Sequence, residues 1–152
     1  MFITLIVGIV AGLRALTPLA AVSWAARLGI LHLNGTWIAF LGYRWSPWIF
    51  SLLALAEIVN DKLPQTPSRK VPVQFATRII TGAFAGMAIG TPEGLGIAFA
   101  VVGAIGAVIG TLVGAWTRAS LVKAIGGRDL PIALLEDCIA VGTAALAMSV
   151  LG

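Results

Sequence analysis

Long, uninterrupted runs of apolar residues constrain this chain more than any other feature of its sequence. They do not alternate with polar residues at every second position, as the strands of a membrane barrel would. Of the 152 residues 59% are hydrophobic and 11% are charged, against about 25% charged in soluble domains. Since backbone groups in hydrocarbon must be satisfied internally, the sequence predicts an all-α polytopic membrane protein.

About five transmembrane helices are predicted, in a single domain of residues 1–152. At about 20 residues per crossing, the spans cover Phe2–Ile30, Ser46–Pro64, Val73–Gly90, Leu95–Ile125 and Pro131 to the C-terminus. A break or kink is expected in the first span near Thr17 and Pro18, because proline removes a backbone donor. The first run lacks a basic n-region and a cleavage site, so we expect it to be retained.

Basic residues between the spans predict the orientation. One side of the membrane would carry the five residues Lys62, Arg69, Lys70, Lys123 and Arg128. The other would carry Arg27 and Arg44 together with Glu93. Because basic loops remain in the cytoplasm, the N-terminus is predicted to be cytoplasmic and the C-terminus outside.

A short pattern occurs twice along the chain and suggests an inverted repeat of spans 1–2 and 4–5. Gly8 and Gly12 precede Arg14, and Gly110 and Gly114 precede Arg118. An acidic span follows each copy, with Glu57 in the first and Glu136 in the second. An odd number of predicted spans would place the copies in opposite directions, as in many transporters. Chance similarity between such short motifs is the alternative.

Glycines recur along span 4 at Gly103, Gly106, Gly110 and Gly114. Small residues let membrane helices approach closely. The pattern indicates either packing within the chain or a seam between copies. We expect a homo-oligomer formed through Gly106, Gly110 and Gly114.

Charged residues inside the spans are the main functional signal, because each is costly at depth unless it is paired or hydrated. Arg14 lies about 18 Å along span 1 at 1.5 Å per residue. Glu57 has a similar depth in span 2, which predicts an Arg14–Glu57 pair. The candidate substrate- or ion-binding residues are Arg14, Glu57, Asp61, Arg78, Arg118, Glu136 and Asp137. They predict a polar cavity open to the cytoplasm; the alternative is a set of structural ion pairs.

Several classes of function are disfavoured by what the sequence contains. Cys138 is the single cysteine, so neither an intrachain disulfide nor a cysteine metal cluster can form. The net charge of +4 is small and dispersed, which argues against nucleic acid and favours contact with membrane lipid. With one histidine and no nucleophile, zinc or phosphate-loop motif, the chain is not expected to be an enzyme or to hold a cofactor.

Three sequence segments resemble a known family. Residues Gly12 to Ala15, the stretch from Leu55 to Pro64, and Arg78 followed by Thr81-Gly82-Ala83 are similar to the bacterial membrane proteins grouped as domain of unknown function 4126. The resemblance covers about the first 90 residues. It implies an inner-membrane location and a role for Arg14, Glu57 and Asp61, but no activity. Residues 66–70 replace the aspartate-rich connector of many members.

These patterns favour a small transporter or channel for an ion or a small solute, with its site on Arg14 and Glu57. A second hypothesis is a lipid-handling carrier or enzyme in which Arg69, Lys70, Arg78 and Arg118 cradle a phosphate headgroup. A third is a membrane scaffold without catalysis, which predicts charges that are fully paired and reached by no cavity.

Overall fold

The regular secondary structure of the described residues is all helical, as predicted. The computed structural model describes residues 1–62, 71–127 and 129–151. Within them, the helices are α1 (Phe2–Leu13), α2 (Thr17–Arg27), α3 (Ser46–Asn60), α4 (Pro72–Gly90), α5 (Gly96–Ala124) and α6 (Asp129–Leu151). Short 3-10 turns lie at Ala39–Gly42 and Thr91–Glu93. The protein is thus an all-α polytopic membrane protein.

Proline and glycine set most of the helix ends. A proline occupies the first turn of α2, α3 and α4, where its missing N–H has no intrahelical partner to lose. Gly94 ends the α4–α5 connection with a left-handed φ of 71°, a conformation that glycine adopts without steric cost. Helices α4, α5 and α6 are long and apolar enough to cross a membrane, whereas α1 and α3 are shorter apolar helices.

The first predicted span does not cross the bundle but forms a hairpin of α1 and α2. Glu57 contacts Leu16 at the start of α2, and Ser51 contacts Trp24 further along it, so α2 runs antiparallel to α3. Arg14 and Asp61, at the ends of α1 and α3, meet each other. Helix α1 therefore runs in the direction of α3, and α2 returns to where α1 began.

The bundle consequently has two distinct ends. Arg14 contacts Asp137 and Val10 packs with Ala140 and Ala144, so α6 runs antiparallel to α1 and ends where α1 begins, at what we call the loop end. The charged end holds Asp61 and Asp129, which both bind Arg118. The two termini therefore lie at the same end. The predicted placement of the termini on opposite sides of the membrane counted the first span as one crossing, whereas the structure shows a reversal after Arg14. Which side of the membrane each terminus faces stays a prediction.

The predicted inverted repeat is not observed either. Gly8 lies against Gly103 and Gly12 against Thr111, so α1 and α5 run parallel. An inverted repeat requires the helices of its two copies to run in opposite directions. The shared glycine spacing instead reflects α1 and α5 packing on each other.

The glycines of α5 serve packing within the chain. A Cβ at Gly106 or Gly110 would overlap the backbone of Leu5 or Ile9 in α1, and Gly114 is also buried. Because α1 covers Gly106 and Gly110 in this structure, their packing is accounted for within the chain. The predicted homo-oligomer stays a prediction. The exposed faces of the helices are apolar, with Leu52, Ile105 and Leu146 among the exposed side chains, as expected of surfaces in contact with lipid.

Candidate functional site

The site is built around the tip of the α1–α2 hairpin. Helix α1 ends at Leu13, Arg14 is extended with φ −141° and ψ 112°, and α2 begins at Thr17. A helix break leaves terminal carbonyl and N–H groups without intrahelical partners. In a membrane interior these groups must be bound by other parts of the protein. Side chains from three other helices bind them here.

Arg78 of α4 binds the open end of α1. Its Nη1 donates to the carbonyl oxygens of Gly12 at 2.8 Å and Leu13 at 2.6 Å. The Thr111 hydroxyl lies 3.3 Å from the same Gly12 carbonyl. A cation is favourable at this end, where the helix dipole is negative. Arg78 was predicted to be a site residue inside the membrane. It is buried, and it lies at the break between α1 and α2.

Glu57 of α3 binds the open end of α2. Its carboxylate accepts hydrogen bonds from the N–H of Ala15 at 2.7 Å and of Leu16 at 2.8 Å. An anion is favourable here, where the helix dipole is positive. Glu57 Oε1 also lies 3.8 Å from Arg78 Nη2. The two side chains therefore compensate both ends of the broken helix and attract each other.

Arg14 projects from the tip into a pair of carboxylates. Its guanidinium lies 2.7 Å from Asp61 Oδ2 and 2.5 Å from Asp137 Oδ1, and its Nε donates to Asp137 at 2.6 Å. The side chain is 0% exposed. The predicted Arg14–Glu57 pair is wrong, because Glu57 is bound to the α2 amides while Asp61 and Asp137 surround the arginine.

Arg118 extends the network towards the charged end. It lies 3.0 Å from Asp61, 3.4 Å from Glu136 and 2.6 Å from Asp129. Asp61 is thus shared between Arg14 and Arg118. All seven predicted site residues therefore lie around the hairpin tip in two groups, the pair Glu57–Arg78 bound to its backbone and the network of Arg14, Asp61, Arg118, Glu136 and Asp137, and their pairing differs from the prediction.

Lys62 and Asp129 belong to the network and were not predicted as site residues. Lys62 Nζ lies 2.5 Å from Asp137 Oδ2 and donates to the Ile58 carbonyl at 3.1 Å. Lys62 follows the end of α3 and Asp129 is the first residue of α6. Their positions in the sequence therefore suggested charges in loops. The position of Lys62 beside Asp61 was the available signal.

Exposure increases from the hairpin tip towards the charged end. Arg14 is fully enclosed, the side chains of Asp61 and Arg118 are 15% and 16% exposed, and that of Asp129 is 54% exposed. The expectation of an open polar cavity around Arg14 is therefore wrong in this conformation. What the structure shows is a charged network closed at the tip and accessible at its outer edge.

The proposed phosphate cradle is not assembled by the residues that can be described. Arg78 holds backbone carbonyls and Arg118 holds carboxylates. Arg69, Lys70 and Arg128 lie outside the described residues, as does the connector at residues 66–70. Over the described ranges, no group of three His, Cys, Asp or Glu side chains is arranged to hold a metal ion.

Comparison with known proteins gives a family but no function. Neither the curated proteins nor the solved structures contain a significant match to the chain. The family model "Domain of unknown function (DUF4126)" matches residues 1–150, which confirms the resemblance seen in the first 90 residues and extends it over the rest. The chain therefore belongs to the DUF4126 family.

Proposed function

We propose that this protein is a small membrane transporter, a carrier for an ion or a small solute, in which the α1–α2 hairpin is the moving element. Its site would be the charged cluster at the hairpin tip, built on Arg14 and Glu57 and completed by Asp61 and Asp137. The observation that carries the proposal is the broken helix, with Glu57 and Arg78 bound to its two open ends.

Broken helices of this kind are a feature of secondary transporters. Their half-helix ends lie near the bilayer midplane, where they bind substrates and coupling ions. Helix α1 has 12 residues, so a tip at its far end would lie about 18 Å from the loop end, within a hydrocarbon core of about 30 Å. Ionisable residues at this depth, paired as Arg14 is with Asp61 and Asp137, mark ion and substrate pathways in many membrane proteins, which supports a functional role.

A carrier fits the geometry better than a channel. Arg14 is enclosed and α1 packs closely on α4 and α5 through glycines, so the part of the chain that the structure describes leaves no open path past the tip. Movement of the hairpin would separate Arg14 from Asp61 and Asp137. The freed carboxylates would then accept a cation or a proton in place of the guanidinium.

The same proposal includes an orientation in a bacterial inner membrane. The charged end carries Lys62 and Lys123, and Arg69, Lys70 and Arg128 lie close to charged-end residues in the sequence. Under the positive-inside rule this end faces the cytoplasm. Both termini, at the loop end, would then face the outside.

Flux through reconstituted protein tests the proposal. Purified protein in liposomes, under an imposed proton or alkali-cation gradient, should carry an ion current or gradient-driven solute uptake. Glu57→Gln should lower that flux about tenfold, equivalent to about 1.4 kcal/mol in a barrier. Glu93→Gln, which changes an exposed acid in the loop-end turn, should leave it unchanged.

Folding must be checked in parallel. Circular dichroism and thermal unfolding of each variant in detergent separate loss of transport from loss of structure. If the wild-type protein moves no ion or solute across the panel while it remains folded, the transporter proposal is wrong. The paired charges would then support a scaffold.

A further inference from the structure

A groove separate from the charged cluster lies between α2, α3 and α6. Its volume is about 580 Å³, within the range of about 300–1,000 Å³ typical of small-molecule sites. Its walls are almost entirely apolar and rich in alanine, including Ala20, Ala54 and Ala145. Helices α3 and α6 each pack on α2 and leave the groove between them.

Thr17 gives the groove a polar inner end. This residue lies in the first turn of α2 at the hairpin tip, lines the groove and is 5% exposed. Its hydroxyl has no hydrogen-bond partner among the described residues. A buried hydroxyl without a partner is destabilising, so a bound molecule that supplies one would be favoured.

The helix break explains why this hydroxyl has no partner. Threonines inside membrane helices usually bond the carbonyl four residues earlier, as Thr77, Thr91 and Thr111 do here. For Thr17 that carbonyl belongs to Leu13, beyond the break, and it accepts from Arg78 instead. The reversal that builds the hairpin therefore leaves a buried hydroxyl without a partner on a residue that lines the groove.

We propose that the groove binds an uncharged amphiphile, with its apolar body along the alanine walls and an oxygen at Thr17. The head should be a neutral acceptor, such as the oxygen of an alcohol, ketone or ester, because the amino end of α2 is positive. An anion is disfavoured because the Glu57 carboxylate already binds the N–H groups of Ala15 and Leu16 just before α2. This binding does not depend on the transport proposal.

Trp24 forms one side of the groove and is held in place. Its Nε1 donates to the Ser51 hydroxyl at 3.1 Å, and its ring contacts Trp48 edge-on with centroids 5.2 Å apart. A fixed indole offers a rigid apolar wall with little side-chain entropy left to lose on binding. It also places an aromatic contact beside the body of the ligand.

Photolabelling in nanodiscs tests the site. The probes are a diazirine-bearing long-chain alcohol and the matching alkane without a head group, with labelled residues mapped by mass spectrometry. The alcohol should label α2, α3 and α6 around the groove more strongly than the alkane. Thr17→Val keeps the shape and removes the hydroxyl, so labelling by the alcohol should fall about fivefold while labelling by the alkane stays unchanged.

Two matched controls make the result specific. Ser23 is another buried hydroxyl of α2 without a partner that is not among the groove-lining residues, so Ser23→Ala should not change labelling. Ala145→Phe should fill the groove and abolish the label, whereas Leu146→Phe on the exposed face of α6 should not. Equal labelling by alcohol and alkane, or equal effects of the two phenylalanines, would mean that ordinary acyl chains fill the groove and would overturn the proposal.

Discussion

Glu57 and Arg78 lie 3.8 Å apart and bind opposite ends of the same break in the chain. Glu57 accepts from the two N–H groups just before α2, and Arg78 donates to two carbonyls of the carboxyl end of α1. Each charge thus faces the helix end of opposite sign. The hairpin is held by side chains from α3 and α4, not by its own connection.

Removing the Glu57 carboxylate should destabilise the fold in proportion to the acceptors lost. Glu57→Gln keeps one amide oxygen as acceptor and should lower the free energy of unfolding by about 1–2 kcal/mol. Glu57→Ala leaves both N–H groups and Arg78 without this partner and should cost about 3 kcal/mol. Unfolding in detergent measures both values. A loss below about 0.5 kcal/mol for Glu57→Ala, similar to that of the exposed Glu93→Gln, would show that the hairpin does not depend on this carboxylate.

Arg14 should tolerate neither loss of charge nor change of shape. Arg14→Met removes the cation between Asp61 and Asp137, and breaking a buried ion pair costs about 3–5 kcal/mol. Arg14→Lys restores the charge, but a single ammonium cannot span two carboxylates as the planar guanidinium does. We therefore expect Arg14→Lys to recover only part of the stability. Thermal unfolding should rank wild type above Lys and Lys above Met. Full recovery by lysine would mean that only the charge matters.

The helices themselves follow from local sequence, and so does the grouping of charged residues. Apolar runs and the residues Pro47, Pro72 and Gly94 mark helix bodies and ends by short-range chemistry. The chain reversal after Arg14 could not be predicted in this way. A proline in an apolar run gives the same local signal for a kink and for a turn back. What stabilises the reversal is Glu57 and Arg78, more than 40 residues away in sequence.

The pairing inside the site was predictable only in part, for a related reason. Depth along a span correctly predicted that Arg14 and Glu57 lie close together. Depth does not show, however, which carboxylate forms its hydrogen bonds with backbone N–H groups instead of with Arg14. Because Glu57 binds the amides of Ala15 and Leu16, Asp61 and Asp137 are left to bind Arg14. The length of the first span was one available signal of the reversal, because that span is longer than a single crossing requires.

Glycine substitutions distinguish packing within the chain from a seam between copies. A Cβ at Gly110 would overlap the Ile9 backbone of α1, so Gly110→Ala should lower the free energy of unfolding by about 1–3 kcal/mol. Gly142 in α6 has no atom within 4 Å of an added Cβ, so Gly142→Ala should stabilise by about 0.5–1 kcal/mol. Unfolding in detergent measures whether each substitution lowers or raises the free energy of unfolding. If Gly110→Ala changed only the oligomeric state, measured by light scattering, the glycine face would lie between copies.

Labelling of single cysteines from outside the cell should place the N-terminus and the C-terminus on the same side. With Cys138 replaced by alanine, cysteines at Phe2 and Val150, both exposed at the loop end, should react with a membrane-impermeant maleimide in intact cells. A cysteine at Lys123, at the charged end, should react only after the membrane is opened. The hairpin predicts this result, because α1 begins and α2 ends at the loop end, so the two helices together do not cross the membrane. Labelling of Val150 but not Phe2 in intact cells would mean that the first span crosses the membrane after all.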